Sequence, residues 1–286
     1  MSKKDESLSI LLVGGHPADA FDNAGGTLAH HAASGDRVTV AVMTHGARSH
    51  AATLIDRYRT AEQTVVQVDE VDREVHETLD EKRDEVRGAC AVMGVKDVRF
   101  LEYDDDILLA REDLIRRIAD LVQETRPDIV ITHHPYDRGG VANTHSECAA
   151  MTLAAIDAAG GLLRNSTRRP HRVAQVFFMG VEPACASKDV LAAGMTIWCD
   201  VYVDITDVIE RKIAALDMMV SQNYQGAYAR NGRNPWTAIS DCSSAWPMPN
   251  RSARCVRRYM TVCRSRLIPG FAPANPPNNG APGPAC

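Results

Sequence analysis

Two histidines and one aspartate have the types and spacing needed to bind a metal ion. His16 and Asp19 stand three residues apart after an apolar segment, and His145 follows a second apolar segment much later in the chain. Two imidazoles and a carboxylate from separate loops are a common catalytic zinc set, with a fourth position left for water. The same ligand types suit Fe²⁺ or another divalent ion. A single histidine near a loop is more often structural, so the prediction depends on the combination.

The first of these apolar segments belongs to a predicted strand–helix–strand unit. Residues 8–13 are predicted to form a buried strand, residues 27–33 a helix and residues 37–44 a second strand rich in valine. Ligands of parallel sheets collect beyond the carboxyl ends of the strands. His16 and Asp19 directly follow the first strand, so they lie where a site is expected.

The remaining chain continues this alternation of helices and strands. The predicted elements are two amphipathic helices within 51–93, a strand at 98–101, a solvated turn at 103–106, a helix at 112–125, a strand at 128–132, a helix at 148–159 with Thr144 and Glu147 as its capping box, strands at 173–179 and 198–205, and a helix from 206. The pattern predicts a Rossmann-like, three-layer αβα fold with a mostly parallel sheet. The first strand is not followed by Gly-x-Gly-x-x-Gly, which argues against a nucleotide-binding protein.

Composition sets the broad class of the protein. The 286 residues are 45% hydrophobic and 24% charged, as in a globular chain that can bury a full core. A net charge of −5 gives no reason to expect nucleic acid or an anionic membrane as a partner. We find no membrane-spanning apolar run and no signal peptide, so we expect a cytoplasmic protein with a small-molecule substrate. The sequence leaves homo-oligomerisation open.

The C-terminal segment differs in composition from the rest of the chain. Residues 229–286 contain eight arginines, a single acidic residue and nine of the 14 prolines. Such a composition is typical of segments that do not bury a core. The sequence therefore predicts one folded domain at residues 1–228 and a basic, poorly ordered tail at residues 229–286.

The motifs around the candidate ligands resemble a known family. Gly-Gly-His16-Pro-x-Asp19, the later Gly-Gly-Thr-Leu-Ala, RVTVAVMTHG and PDIVITHHP are similar to the PIG-L or LmbE-like zinc deacetylases, over about residues 8–222. The resemblance implies that His16, Asp19 and His145 bind zinc in a domain of that type at residues 1–228. It also implies removal of an acetyl group from an N-acylated small molecule such as an amino sugar conjugate.

The chain departs from that family at its acid–base positions. The resemblance aligns the general-base aspartate of the family with Ala18, a glutamate with Ala20, and the segment His-Pro-Asp-His with Ala142-Asn-Thr-His145. His-x-Ala-Asp is similar to the hydratase branch of the superfamily, typified by 4-oxalomesaconate hydratase, although a glutamate of that branch aligns near His50. Hydration of an unsaturated dicarboxylic acid is therefore the alternative function. A metal-binding homologue without catalysis is the second alternative.

Several residues are candidates for the missing acid–base group. Catalytic roles are predicted for His133, His134, Asp137 and His50. Two of these histidines leave a strand end beside the expected metal, and Asp137 is close enough in sequence to orient one of them. Arg48 is predicted to meet a substrate carboxylate or hydroxyl, with a surface ion pair as an equal alternative.

Overall fold

A five-stranded parallel sheet organises the chain in the computed structural model, which describes residues 7–60, 67–136, 143–164, 166–180, 201 and 203–230. The strands are β1 (Ser9–Gly14), β2 (Arg37–Thr44), β3 (Asp97–Tyr103), β4 (Ile129–His133) and β5 (Gln175–Met179). Their order across the sheet is β3-β2-β1-β4-β5, and all neighbouring pairs are parallel. The predicted parallel sheet is confirmed.

Helices cover both faces of this sheet. They are α1 (Asp19–Ala33), α2 (Ala52–Thr60), α3 (Val68–Met93), α4 (Glu112–Thr125), α5 (Thr144–Ala159), α6 (Ile209–Asp217) and α7 (Ala227–Arg230), with a 3₁₀ turn at Val220–Gln222. Helices α4 and α5 pack together on one face, where Leu11 and Val13 of β1 contribute to the core. Helices α1, α3 and α6 pack together on the other face. Strands covered on both faces are buried along nearly their whole length, as β1 and β2 are, where Arg37 alone is exposed.

The sheet has a topological switch point between β1 and β4. The chain runs outward from β1 through β2 to β3, and it then returns to place β4 on the other side of β1. Val13 of β1 pairs with Thr132 of β4, so the loops that follow these two strands start side by side. Crevices at such points, beyond the carboxyl ends of the strands, are where open α/β sheets bind ligands.

Helix α1 begins earlier than the sequence predicts. It starts at Asp19 and includes Gly25 and Gly26, which we expected to precede the helix. Gly26 is needed because Ile205 packs against α1, and a Cβ at position 26 would lie 2.3 Å from Cγ2 of Ile205. The glycine pair therefore marks a close helix contact rather than a helix boundary.

Helix α5 also differs from the prediction at its N-terminus. Its N-cap is Asn143, whose side chain accepts a hydrogen bond from the backbone N–H of Ser146, while Ser146 Oγ accepts one from the backbone N–H of Asn143. The predicted box of Thr144 and Glu147 is therefore wrong by one residue. Asn143 stabilises this end of the helix in the same way that the predicted Thr144 would have done.

The acidic turn after β3 is solvated only in part, because Asp104 and Asp106 are exposed as predicted but Asp105 is buried. Asp105 is only 3% exposed, and it accepts hydrogen bonds from the backbone N–H groups of Arg48 and Ser49 at 3.1 and 2.8 Å. The turn therefore anchors the loop that follows β2. A buried carboxylate of this kind is stabilised by the donors around it.

Other predictions fall partly or wholly outside the described residues. Half of the strand predicted at 198–205 does, and among its described residues Asp204 forms a single β bridge. The tail is described only at its start, where the predicted boundary at 228/229 falls inside α7 and Ala229 is buried. Among the described residues, no helix is long and apolar enough to cross a membrane.

Candidate metal centre

The three candidate ligands meet at the switch point of the sheet. His16 follows β1, Asp19 begins α1, and His145 lies in the first turn of α5. His16 Nδ1 is 3.2 Å from His145 Nε2, Asp19 Oδ1 is 3.5 Å from His145 Nε2, and His16 Nδ1 is 3.6 Å from Asp19 Oδ2. The three residues expected to bind a metal are therefore brought together.

This arrangement fits a tetrahedral metal ion. Nitrogen and oxygen ligands bind zinc at roughly 2.0 to 2.2 Å, which puts neighbouring donor atoms of a tetrahedron roughly 3.3 to 3.6 Å apart. The observed separations of 3.2 to 3.6 Å lie close to that range, with the two Asp19 distances measured to different oxygens of its carboxylate. One donor atom from each of the three residues lies within 4.8 Å of the other two. Gly15 contributes by having no side chain, because a Cβ there would lie 3.3 Å from Asp19 Oδ2 and 3.5 Å from His145 Cδ2.

Asp19 is buried and held in its ionised form. Its Oδ2 accepts a hydrogen bond of 2.6 Å from the backbone N–H of His16 and lies 2.9 Å from Nε2 of His133. Burial alone would raise the pKa of this carboxyl, but His145 and His133 beside it hold the pKa well below its ordinary value. The carboxylate is therefore available as a ligand at neutral pH.

His133 lies behind the three candidate ligands. It is the last residue of β4, it is 2% exposed, and its ring stacks on that of His145 with centroids 4.1 Å apart. Its Nε2 contacts Asp19 Oδ2 and lies 3.2 Å from the backbone nitrogen of Gly15. Burial and the neighbouring His145 lower the pKa of His133, which keeps its ring neutral. These contacts orient Asp19, as hydrogen-bond partners of metal-binding side chains do.

His50 borders the centre from the loop after β2. Its ring centroid is 3.9 Å from that of His16, and its Nδ1 is 2.7 Å from Oγ of Ser49. Burial, and then the neighbouring His16, lower the pKa of His50 to about 4. His50 is therefore a half-buried, neutral imidazole next to a candidate ligand.

Arg48 and His134 are the two remaining predicted site residues that the structure describes. Arg48 forms ion pairs with Asp104 and Asp72 at 2.8 and 2.6 Å, so the loop after β2 is tied to the turn after β3 and to α3. This is the ion-pair alternative given for Arg48 above. His134 has its Nδ1 3.0 Å from the backbone nitrogen of Tyr136, and its ring meets that of Phe178 edge to face.

The predictions for Asp137 and Ala142 fall outside the described residues. Ala18, which aligns with the general base of the resembling family, is the N-cap of α1 and is 1% exposed. A methyl group therefore lies directly before Asp19 at the position where that family has a carboxylate.

Lys82 was missed as a candidate from the sequence. It lies on the buried face of α3, and its Nζ contacts the backbone carbonyl of His50 at 3.2 Å. Burial lowers its pKa to about 8, and the charges of Glu85 and Asp105 oppose that shift. One feature of the sequence could have identified it. Lys82 stands within an apolar stripe of helical spacing that is made up of Val75, Leu79, Val86 and Ala89.

A pair of tyrosines was missed as well. Tyr224 and Tyr228 stack with ring centroids 4.2 Å apart, and the Tyr228 hydroxyl donates a 2.8 Å hydrogen bond to Asp22 Oδ2. Asp22 lies one helical turn beyond Asp19, so α7 and the residues before it are joined to the helix that carries a candidate ligand. The sequence carries no signal for this contact, because the partners are far apart in the chain.

Comparison with known proteins identifies relatives of two activities. The curated relatives include a 4-oxalmesaconate hydratase of Pseudomonas putida, which is 26% identical over 77% of this chain and 76% of its own. They also include a 1D-myo-inositol 2-acetamido-2-deoxy-alpha-D-glucopyranoside deacetylase of Acidothermus cellulolyticus, which is 30% identical over 52% of this chain and 53% of its own.

Solved structures share the fold. The 4-carboxy-2-hydroxymuconate hydratase of Pseudomonas putida superposes with a TM-score of 0.61 at 24% identity, over 78% of this chain and 82% of its own. The N,N'-diacetylchitobiose deacetylase of Pyrococcus horikoshii gives a TM-score of 0.55 at 20% identity, over 74% of this chain and 70% of its own. At these identities the likeness concerns the fold alone.

The family assignment rests on the sequence. Residues 11–156, just over half of the chain, match the PIG-L family, described as GlcNAc-PI de-N-acetylase. This region runs from β1 into α5 and contains His16, Asp19 and His145. The chain therefore belongs to the PIG-L family, as its motifs predict.

Proposed function

We propose that this protein is a metal-dependent enzyme that removes an acetyl group from the nitrogen of a small molecule, such as an amino sugar conjugate. The observation that carries the proposal is the meeting of His16, Asp19 and His145 with donor atoms 3.2 to 3.6 Å apart. These residues lie in the region that matches a de-N-acetylase family. Four curated relatives that act as deacetylases, on an N-acetylated inositol glycoside, support this choice of reaction.

The ligand set would hold zinc or a similar divalent ion. Such an ion, when bound, lowers the pKa of water towards about 7 and polarises a carbonyl group. His133 keeps Asp19 oriented through the contact between Nε2 and Oδ2.

His50 is the residue we propose as the proton acceptor in place of the aspartate missing at position 18. Its ring centroid lies 3.9 Å from that of His16, which places an imidazole directly beside the candidate metal ligands. A neutral imidazole at this position can take a proton from the attacking water and pass it to the leaving amine. Roles for His134, Asp137 and Arg48 remain predictions.

Hydration of an unsaturated dicarboxylic acid is the second candidate. The buried methyl group of Ala18 favours it, because a side chain that cannot take a proton occupies the position of the deacetylase base. The hydratase relative, which is matched over 76% of its own length, supports it as well. Both candidates require the same metal centre and differ in the substrate and in the bond that water attacks.

A substrate comparison on zinc-loaded, full-length protein tests the proposal. We expect acetate release from N-acetylated amino sugars such as N,N'-diacetylchitobiose, and no consumption of 4-oxalomesaconate. His145→Ala should abolish acetate release, while His31→Ala is the matched control because His31 contacts Asp36 at the far end of α1. Consumption of the unsaturated diacid without acetate release would establish the second candidate in place of the first.

A further inference from the structure

Lys82 is a charged side chain within the apolar stripe of α3. It is 2% exposed, although burying an ammonium group is costly compared with burying a hydrophobic side chain of similar size. A buried lysine requires partners for its three N–H donors. Those partners show what the side chain holds in place.

The Lys82 amine joins three parts of the molecule. Its Nζ donates hydrogen bonds of 3.2 Å to the backbone carbonyl of His50 and of 3.2 Å to Oγ of Ser221. Ser221 in turn donates through its backbone N–H and its hydroxyl to the two carboxylate oxygens of Glu85, both at 2.7 Å. Helix α3, the 3₁₀ turn and the loop after β2 are therefore fixed to one another by buried polar contacts.

The loop that carries His50 is held from a second side by Asp105. That carboxylate accepts hydrogen bonds from the backbone N–H groups of Arg48 and Ser49. Asp105 therefore fixes two N–H groups of the loop, and Lys82 fixes the carbonyl of the next residue. With its backbone held in this way, His50 has its ring centroid 3.9 Å from the ring centroid of His16.

We propose that Lys82 is a positioning residue that holds the His50 ring against His16 through its hydrogen bond to the His50 carbonyl. The inference rests on the proposed role of His50 as the proton acceptor. The position of a loop side chain follows that of its own backbone, and the carbonyl of His50 has a buried donor directed at it. A displacement of about 1 Å in a reacting group lowers the rate by about a hundredfold, so an anchor of this kind affects catalysis directly.

A double-mutant cycle separates this role from a purely structural one. Lys82→Met retains the length of the side chain and removes the donors, and we expect kcat for acetate release to fall about tenfold or more while KM stays within about twofold. His50→Ala should lower kcat as well, and Lys82→Met/His50→Ala should be no slower than His50→Ala alone. Independent, multiplying effects of the two substitutions would overturn the proposal.

The position of the His50 ring can also be measured without any activity. In proton NMR spectra of the full-length, zinc-loaded protein, the His50 ring signals are assigned by their loss in His50→Ala. The adjacent His16 ring should shift them, and Lys82→Met should move them towards the values of an unstacked histidine. If Lys82→Met does not fold, Lys82→Leu, which also removes the donors, takes its place with the same expectation.

Lys212→Met provides the matched control. Lys212 is a second buried lysine, 5% exposed on α6, and its substitution should leave the His50 signals and kcat unchanged. Unchanged His50 signals in Lys82→Met, or equal shifts in Lys212→Met, would contradict the positioning role. If the wild-type protein releases no acetate, the proposed function fails, and the NMR comparison still decides whether Lys82 positions His50.

Discussion

Asp19 contacts three histidines of the candidate centre with a single side chain. One carboxylate contacts His145 through Oδ1, and it contacts the His16 backbone and the His133 ring through Oδ2. Replacing Asp19 by a residue without a carboxylate would leave these donors without the acceptor that they share. Burial of an uncompensated group of this kind is among the costliest changes that a site can undergo.

The ligands could be predicted from the sequence, but their supporting residues could not. His16, Asp19 and His145 follow strand ends in recognisable motifs. The contact between His133 and Asp19 depends on the pairing of Val13 with Thr132, a register between strands that are distant in sequence. Lys82 acts on His50 through a backbone carbonyl, which no sequence motif records.

The substitution Ala18→Asp tests the acid–base chemistry at the scale of one residue. If the protein is a deacetylase without its usual base, the new carboxylate should raise kcat for acetate release, by about 10² to 10⁴, the range typical of general-base catalysis. Ala18→Asn is the matched control, because the amide has the same shape and also caps α1 but cannot take the proton.

Steady-state rates of acetate release by Ala18→Asp and Ala18→Asn show whether a residue at position 18 can supply the base. Equal rates in Ala18→Asp and Ala18→Asn would show that position 18 does not supply a base. If Ala18→Asp abolishes a hydratase activity of the wild-type protein and leaves acetate release at background, the hydratase assignment replaces the deacetylase one.

At the scale of elements, strands and long helices were predictable because their apolar patterns are strong. Strand β2 and helix α4 have the predicted bounds, and Gly94 ends α3 in the left-handed conformation. The start of α1 was not predictable, because Gly26 is required by Ile205, a residue from a distant part of the chain. The contact with Ile205, rather than helix propensity, determines which residue can occupy position 26.

The glycine pair of α1 provides a direct test of that explanation. Gly26→Ala should be destabilising by about 1 to 3 kcal/mol, the usual cost of overpacking, because its Cβ would lie 2.3 to 2.9 Å from the Ile205 side chain. Gly25→Ala meets Lys212 and Met93 only at 3.4 Å and should be neutral or up to about 1 kcal/mol stabilising, since alanine favours the helix.

Urea unfolding of both variants measures the difference. The order of stability should be Gly25→Ala at or above wild type, and Gly26→Ala below it. Equal stabilities of the two variants would mean that the contact with Ile205 does not determine the residue at position 26.

At the scale of the whole molecule, the strand order explains where the site lies. Because β4 pairs with β1 on the side opposite to β2, the loops after β1 and β4 face each other, and α5 brings His145 to the same point. The sequence predicted parallel strands and a site at their carboxyl ends. It could not give the register that sets the distances between ligands, because register depends on packing across the full sheet.

The division of the chain into a domain and a tail stays a prediction. The contacts of Tyr228 with Asp22 and of Arg230 with Asp217 show that residues up to 230 belong with the core. A boundary after α7 is therefore better supported than one at 228/229.

Zinc binding by the full-length, metal-stripped protein tests the central claim most directly. Calorimetric titration should give one tight site per chain in the wild type and in His31→Ala, and that site should be lost in His145→Ala, because removing one of three ligands removes both a bond and the geometry that selects the ion. Tight, stoichiometric zinc binding by His145→Ala, or an absence of binding in the wild type, would contradict the metal centre.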